Sequence, residues 1–336
     1  MDKVVFDQHK IPLISVLITS YNISEYVPYS ISSIISQTYQ NFEIIYIDDG
    51  SEDNTNEIVN SFNSGKIFYF KTTHTGRTKA LNYGLTLCKG DLIAIMDADD
   101  IALPIRLEKQ VNFMISNPDI HVLSCYYAVF KNNHIEYIVK NPVNHENIIQ
   151  FLLLHSCICH GGALIRKSVY NEFTGYREVD SRDYEFWLRI KDKVYFHNLP
   201  EVLMLVRYNP NSLTKKNVSK TNVQTYIIQT EYFNKLTVNC FIQKLKIRKL
   251  KGWREFFYGD RKKARIFFRK FLFTETKATI AYFLTYLPLS LFEYLKEQRI
   301  RYRLEYIFTE SKNLKTSLDD FLQKIHSEFF KNFFEN

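Results

Sequence analysis

Glycine and proline are scarce, 10 and 8 among 336 residues, which excludes collagen-like and low-complexity chains. Cysteine is sparse and odd in number, at positions 88, 125, 157, 159 and 240. Only Cys157 and Cys159 lie close together, in C-x-C spacing, and no C-x-x-C occurs. An ordinary zinc ribbon or finger and a disulfide framework are therefore both disfavoured, and the odd count suits free thiols in a reducing compartment. No G-x-G-x-x-G follows an apolar run and no G-x-x-x-x-G-K-[ST] is present, which argues against a dinucleotide enzyme or a P-loop NTPase. The opening MDKVVFDQHKIPLISVLIT lacks a basic n-region, an apolar h-region and a small-residue cleavage site, so no signal peptide is expected and the reading is cytoplasmic. The longest uncharged apolar stretch, residues 278–292, is 15 residues long and contains Pro288, short of the roughly 20 a spanning helix needs.

What is present is a foldable chain. Hydrophobic residues make up 46% and charged residues 24%, enough for a sizeable core and too apolar for disorder. The length suits one large domain plus a smaller one, or two modest domains. The net charge of +8 hides an asymmetry. Residues 1–214 carry 19 Lys and Arg against 24 Asp and Glu, whereas residues 215–336 carry 25 against 12. An acidic front and a basic back suggest two jobs.

The first hundred residues alternate strand-like and helical patterns. Residues 14–19 (ISVLIT), 42–47 (FEIIYI) and 92–96 (LIAIM) are continuous apolar runs, as expected for strands buried on both faces; residues 67–70 form a shorter one. Residues 27–37, 53–62 and 78–89 carry apolar side chains at helical spacing, the last expected to stop with Gly90 in the left-handed C′ position. This alternation implies a mostly parallel α/β sheet flanked by helices. Residues 122–130 predict a strand or strand pair, His160–Gly162 a small-residue turn before a short strand, and residues 184–190 a helix with Asp183 at its N-terminal end, where the helix dipole favours a carboxylate.

Each long strand ends in a polar cluster: Thr19-Ser20-Tyr21-Asn22, Asp48-Asp49-Gly50-Ser51 and Asp97-Ala98-Asp99-Asp100. One cluster alone could be a turn or a helix cap. Three in phase converge on a single crevice, because ligands of open α/β sheets bind beyond the carboxyl ends of the strands. Asp97 and Asp99 supply hard oxygen ligands of the type that suits Mg²⁺ or Mn²⁺ bridging to phosphate.

These residues resemble the inverting glycosyltransferases of family 2, which have the GT-A fold. The resemblance covers roughly residues 11–215. It rests on ISVLITSYN, IDDGSEDNT, GRTKALNYGL, AIMDADD followed by Pro104 and Arg106, HGGALIRKSVY with FTGYRE, and SRDYEFWLR, in that order. It implies a Rossmann-like donor half over residues 11–110 and an acceptor half over 111–215, ahead of a helical, basic and aromatic region over 216–336. Thr19, Tyr21 and Asn22 then belong to the donor site, with Tyr21 stacking on the base. Asp48 or Asp49 binds base or ribose, Arg77 and Lys79 face base or diphosphate, and Asp97 lies on the ribose side. Asp99 holds Mn²⁺ or Mg²⁺, Asp183 is the catalytic base, and His160, Arg182 and Trp187 lie on the acceptor side. Arg182 departs from the family, in which an acidic residue often precedes that Asp, and Asn209 stands where many relatives have a His. The Gln-x-x-Arg-Trp signature of processive polysaccharide synthases is absent, which favours one sugar per encounter.

The chemistry agrees with these roles. Sugar transfer needs the leaving diphosphate neutralised, which a metal can do. It also needs the acceptor hydroxyl deprotonated as it attacks, which a positioned carboxylate can do; the ordinary aspartate pKa of about 3.9 makes that group a base at neutral pH. The expected activity is transfer from a UDP- or dTDP-sugar to a hydroxyl of a glycan or lipid-linked acceptor in cell-surface polysaccharide synthesis. The competing reading is a non-catalytic GT-A subunit scaffolding a membrane assembly. Residues 243–270 carry 12 Lys and Arg against Glu255 and Asp260, interleaved with phenylalanines, with Arg299, Arg301 and Arg303 further on. That pattern predicts peripheral attachment to an anionic membrane on the inner face of the cell membrane, in preference to nucleic-acid binding.

Overall fold

The computed structural model describes residues 11–209, 218–235 and 241–292; Arg299, Arg301, Arg303 and Cys240 lie outside them. In chain order the elements are β1 (Ile14–Ser20), α1 (Val27–Ile35), β2 (Phe42–Asp48), α2 (Thr55–Ser61), β3 (Ile67–Lys71), α3 (Arg77–Leu87), β4 (Leu92–Asp97), β5 (Ile101–Ala102), α4 (Arg106–Ser116), β6 (Ile120–Lys131), β7 (His134–Val139) and α5 (His145–Leu152). A 3₁₀ turn (His160–Gly162) leads into β8 (Leu164–Arg166), α6 (Lys167–Phe173), α7 (Arg182–Ile190) and β9 (Tyr195–Arg207). The basic region forms α8 (Val218–Lys235), α9 (Phe241–Tyr258), α10 (Arg261–Phe268) and α11 (Thr276–Leu284).

One sheet runs through both halves, in the order β3-β2-β1-β4-β8-β6-β9-β5, with β7 paired to β6. The strands from β3 to β4 are mutually parallel. Beyond β4 the short β8 runs antiparallel to both β4 and β6, and β6 and β9 are parallel again. The apolar runs are continuous because both faces are covered. Leu17, Ile45 and Ile95 join one core cluster, while Val16, Ile18, Ile44, Tyr46 and Met96 join the other. Successive side chains thus enter opposite layers, each fully buried aliphatic contributing about 1.5–3 kcal/mol.

Two polar devices fix this frame. Arg106, at the start of α4, is fully buried. Its Nη2 donates to the Ile95 carbonyl at 3.0 Å and its Nε to Gln110 Oε1 at 3.1 Å, while Gln110 Nε2 donates to the Gly162 carbonyl at 2.8 Å. The helix is thereby locked to the end of β4 and to the 3₁₀ turn. At the opposite end of the strands, Glu43 accepts from Ser15 Oγ at 2.6 Å and from the Lys89 amide at 2.8 Å. Gly90 corrects the sequence expectation of a left-handed helix stop. Helix α3 ends with Cys88 extended, and a Cβ on Gly90 would lie 2.5 Å from the Ser15 nitrogen and 2.7 Å from the Leu13 oxygen. Glycine is needed there for close approach of two backbones rather than for a positive φ.

The basic region docks on the sheet domain through side chains. Gln229 Nε2 on α8 donates to the Leu154 carbonyl and to Tyr184 Oη, both at 3.0 Å, and Tyr258 Oη on α9 meets His155 Nδ1 at 2.6 Å. Phe256, Ala264, Phe268, Phe271, Ala278, Ala281 and Phe292 form a small core of their own.

Candidate active site

The strand register brings the three polar clusters to one edge. Ser20 lies beside Asp48 across β1–β2, and Thr19 lies beside Asp97 across β1–β4. Right-handed β–α crossovers place all three C-terminal ends on the same side, so the convergence follows from the parallel topology.

The β2 end is a rigid cradle. Asp48 is fully buried, and its oxygens accept from the Ser51 amide at 2.8 Å and from Tyr69 Oη at 2.5 Å. Asp49 accepts from the Thr75 and Gly76 amides, both at 2.9 Å, and its Oδ2 lies 3.0 Å from His74 Nδ1. Both carboxylates are thus committed to the frame, Asp49 to the loop that carries Arg77. Asn22 is held in the left-handed region at φ 50°. Its amide donates to Ser51 Oγ and its side-chain oxygen accepts from the Glu52 amide, tying the first cluster to the second. Thr19 is nearly buried, whereas Tyr21 is exposed. The Tyr21 ring stacks on His74, centroids 3.9 Å apart, which fixes an aromatic face at the mouth of the crevice.

Arg77 opens α3 and bonds the Asp97 carboxylate through Nη2. The Asp97 charge, and then those of Asp99, Asp183 and Asp100, raise the Arg77 pKa against the opposing effect of burial. Burial opposes ionisation of Asp97, but Arg77, then His160 and Arg182, outweigh it and hold the carboxyl below its ordinary pKa. Asp99 is pushed the other way, by burial and then by the Asp97 charge. Asp100 is pushed up further, by burial and then by Asp99 and Asp97, and its Oδ1 accepts from the Arg207 amide at 2.9 Å. Arg207 Nε also donates to the Asp99 carbonyl at 2.9 Å, with its guanidinium over the Tyr26 and Phe130 rings. The turn between β4 and β5 is thereby clamped from β9. Gly161 leaves room beside it, since a Cβ there would sit 3.3 Å from the Asp97 carboxylate.

Asp183 is the second residue of α7, whose N-cap is Ser181; the aspartate is within the first turn and is not the cap. Among the described residues no hydrogen bond or ion pair engages its carboxylate, which is half-buried. His160 Nε2 meets Tyr176 Oη at 3.0 Å, which in turn meets Tyr170 Oη at 2.7 Å. Burial lowers the His160 pKa against the opposing pull of Asp97. Arg182 Nε donates to Thr78 Oγ1 at 3.0 Å. Lys79 Nζ lies 3.7 Å from Glu178 Oε1. Trp187 is fully buried in the core behind His160, so it backs the acceptor-side histidine and presents no face to the crevice.

The donor set suits a divalent cation. Three carboxylates crowd within four residues, and among the described residues the Asp99 side chain has no partner. No group of three His, Cys, Asp or Glu side chains among the described residues encloses a metal by itself. Sequence reasoning missed His74, Tyr69, Tyr176 and Arg207. Only Arg207 carried a signal, through its place two residues before Asn209.

A curled α/β sheet with an acidic cluster at its carboxyl edge defines a nucleotide-binding class of enzyme fold, and comparison makes the assignment specific. The sequence profile described as Glycosyl transferase family 2 matches residues 15–174. The O-antigen biosynthesis glycosyltransferase WbnJ of Escherichia coli is 33% identical over 244 residues, covering 68% of this chain and 92% of that protein. An uncharacterized glycosyltransferase of Haemophilus influenzae is 33% identical over 254 residues, covering 68% and 76%. Among solved structures, S. aureus TarS residues 1–349 in complex with UDP-GlcNAc superposes with a TM-score of 0.59 at 14% identity, covering 95% of this chain and 88% of that one. The mannosyltransferase PcManGT from Pyrobaculum calidifontis, with GDP-Man and Mn²⁺, gives 0.55 at 14%, covering 98% and 89%. The chain belongs to glycosyltransferase family 2 and is a glycosyltransferase of GT-A fold.

Proposed function

We propose that the enzyme moves a single sugar from a UDP- or dTDP-sugar to a hydroxyl of a glycan or lipid-linked acceptor, with inversion, in cell-surface polysaccharide synthesis. The observation that carries this reading is the Arg77–Asp97 ion pair beside the strand ends, with Asp99 and Asp183 among the charges that also raise the Arg77 pKa. Residues 11–110 supply the donor side and residues 111–215 the acceptor side. The Tyr21–His74 stack offers a face for the nucleobase, and Arg77 and Asp97 border the ribose and diphosphate. Asp99, with Asp97 beside it, would hold a divalent metal, and that metal would supply neutralisation of the leaving diphosphate. Asp183 accepts the acceptor's hydroxyl proton as that oxygen bonds to the anomeric carbon. The carbon–oxygen bond to the diphosphate breaks on the opposite face, which inverts the centre. The unengaged Asp183 carboxylate supports catalysis over a purely scaffolding role. The name of the E. coli relative supports a surface-polysaccharide setting, and the Mn²⁺ of the Pyrobaculum structure supports metal use.

The C-terminal region supports work at an anionic membrane from the cytoplasmic side. Among the described residues no helix is long and apolar enough to cross a membrane, but apolar side chains stand out of the basic surface. Phe273 is 85% exposed at φ 64°, a backbone region that bulky residues rarely adopt, and its amide is held by Thr279 Oγ1 at 2.9 Å. Ile280, Phe283, Leu289 and Leu291 are exposed nearby in sequence. Apolar insertion beside Lys and Arg is the pattern of interfacial binding.

The test is a screen of UDP-, dTDP- and GDP-sugars with Mn²⁺, read as hydrolysis and as transfer to lipid-linked acceptors. Metal-dependent turnover of a UDP- or dTDP-sugar is expected. Metal-dependent nucleotide binding without turnover on any acceptor would favour the scaffolding role.

A further inference from the structure

A cavity of about 410 Å³ opens beside Arg77, with Thr75 and Gly76 also in its lining. Its walls are the start of α3, the segment 178–182 and one face of α8, and its charged lining is Arg77, Lys79, Glu178, Asp180, Arg182 and Lys220. Four cations therefore share it with two carboxylates. Lys79 faces Glu178 at 3.7 Å and Lys220 faces Asp180 at 3.3 Å. All four of these side chains are substantially exposed, and exposed pairs of that kind hold together weakly. The two arginines are different. Arg182 has only the neutral Thr78 hydroxyl at 3.0 Å and no carboxylate partner among the described residues. Arg77 is neutralised by Asp97 through Nη2, while its Nε is buried without a partner. Burial, and then repulsion from Arg77, lower the Arg182 pKa against the opposing pull of Asp183 and Asp97. The first-turn amides of α3, an 11-residue helix, add donors and positive potential to the same wall.

We propose that this cavity seats a phosphate group carried by the acceptor, held by Arg182 and Lys220 with Lys79 and the first turn of α3. The proposal rests on the reading of Asp183 as the base. Arg182 immediately precedes it, so an anion on Arg182 anchors the acceptor next to the group that deprotonates it. Positioning of that kind is a large part of what a transferase can contribute. On that same reading the donor's diphosphate goes to Asp97 and Asp99, neither of which lines this cavity. Helix α8 supplies Lys220, and the basic region thereby becomes part of the acceptor site as well as a docking surface.

The experiment uses the full chain and inorganic phosphate as probe. Phosphate binding is measured by equilibrium dialysis on protein saturated with UDP and Mg²⁺, and UDP binding is measured separately by calorimetry. Phosphate is expected to bind alongside UDP with one site per chain. Arg182→Met should weaken it about tenfold, and Lys220→Met several-fold, as for loss of a charge-assisted contact. UDP affinity should change less than about twofold in both. Lys220 is on an exposed helix face, so its variant keeps the test valid if Arg182→Met folds poorly. Displacement of UDP by phosphate would make the cavity part of the donor seat and overturn the proposal. Absence of phosphate binding, or binding indifferent to both substitutions, would overturn it equally. Failure of UDP itself to bind would sink the donor reading, with phosphate then scored on the nucleotide-free protein.

Discussion

Two carboxylates two residues apart on α7 should separate chemistry from stability. Asp183 is half-buried with no partner among the described residues, so Asp183→Asn removes no native contact. Its position in the first turn of α7 is worth only about 0.3–1 kcal/mol through the helix dipole. As the proposed base it should lower transfer by about 10²–10⁴-fold, while UDP affinity and melting temperature hardly move. Glu185 is the reverse. Its Oε1 takes Arg189 Nε at 3.0 Å and Arg177 Nη1 at 3.1 Å, with its own side chain 9% exposed. Arg189 further donates to the Gly175 carbonyl at 2.6 Å, pinning the segment before α7. Glu185→Gln keeps the shape and one acceptor but leaves a nearly buried guanidinium without its counter-charge, at about 1–3 kcal/mol. For a chain of this size that is a drop of about 1.5–4 °C in melting temperature, with kcat of the folded protein nearly intact. The assays are thermal unfolding, UDP calorimetry and steady-state transfer on both variants. Near-normal transfer by Asp183→Asn, or a crippled kcat in a stably folded Glu185→Gln, would refute the reasoning.

Other substitutions probe separate parts of the argument. Asp99→Ala should abolish the Mn²⁺-dependent part of UDP binding with the fold intact, and calorimetry with and without metal checks it; unchanged affinity removes Asp99 as the metal ligand. Phe273→Glu together with Leu289→Glu, at two exposed positions, should reduce co-sedimentation with anionic vesicles without altering melting, and wild-type binding should fall at high salt because screening acts beyond about 8–10 Å. Equal pelleting of variant and wild type would dismiss the docking surface. Gly90→Ala should destabilise by about 1–3 kcal/mol or more, because its methyl would overlap backbone atoms of two strands; a shift under 1 °C would show that the strands can move apart. His74→Ala removes the ring stacked on Tyr21 and should weaken UDP several-fold, as seen by the same calorimetry, since aromatic pairs contribute about 0.5–1.5 kcal/mol.

The strands were legible because burial on both faces of a parallel sheet forces unbroken apolar runs, and ISVLIT, FEIIYI and LIAIM are such runs. The polar clusters were legible for the same reason: each begins where its run stops, and parallel order makes those stops coincide. The sequence by itself therefore determined the fold class and the place where the clusters converge, and it proposed the acidic set Asp97, Asp99 and Asp183. Its local rules failed where a residue answers to a distant neighbour. Gly90 looked like a helix stop but is small because Ser15 and Leu13 pass against it. Asp48 and Asp49 also hold the frame, through Ser51, Tyr69, Thr75 and Gly76, which the sequence did not show. Trp187 reads as an acceptor-side ring until the fold buries it. His74, Arg207 and the Arg182–Lys220 cavity join elements as far apart as β1, β9 and α8, and nothing in local composition encodes such pairings. Hydrophobic periodicity is a property of neighbours in sequence, whereas charge balance and hydrogen-bond partnership are properties of neighbours in space, and only the tertiary structure decided those.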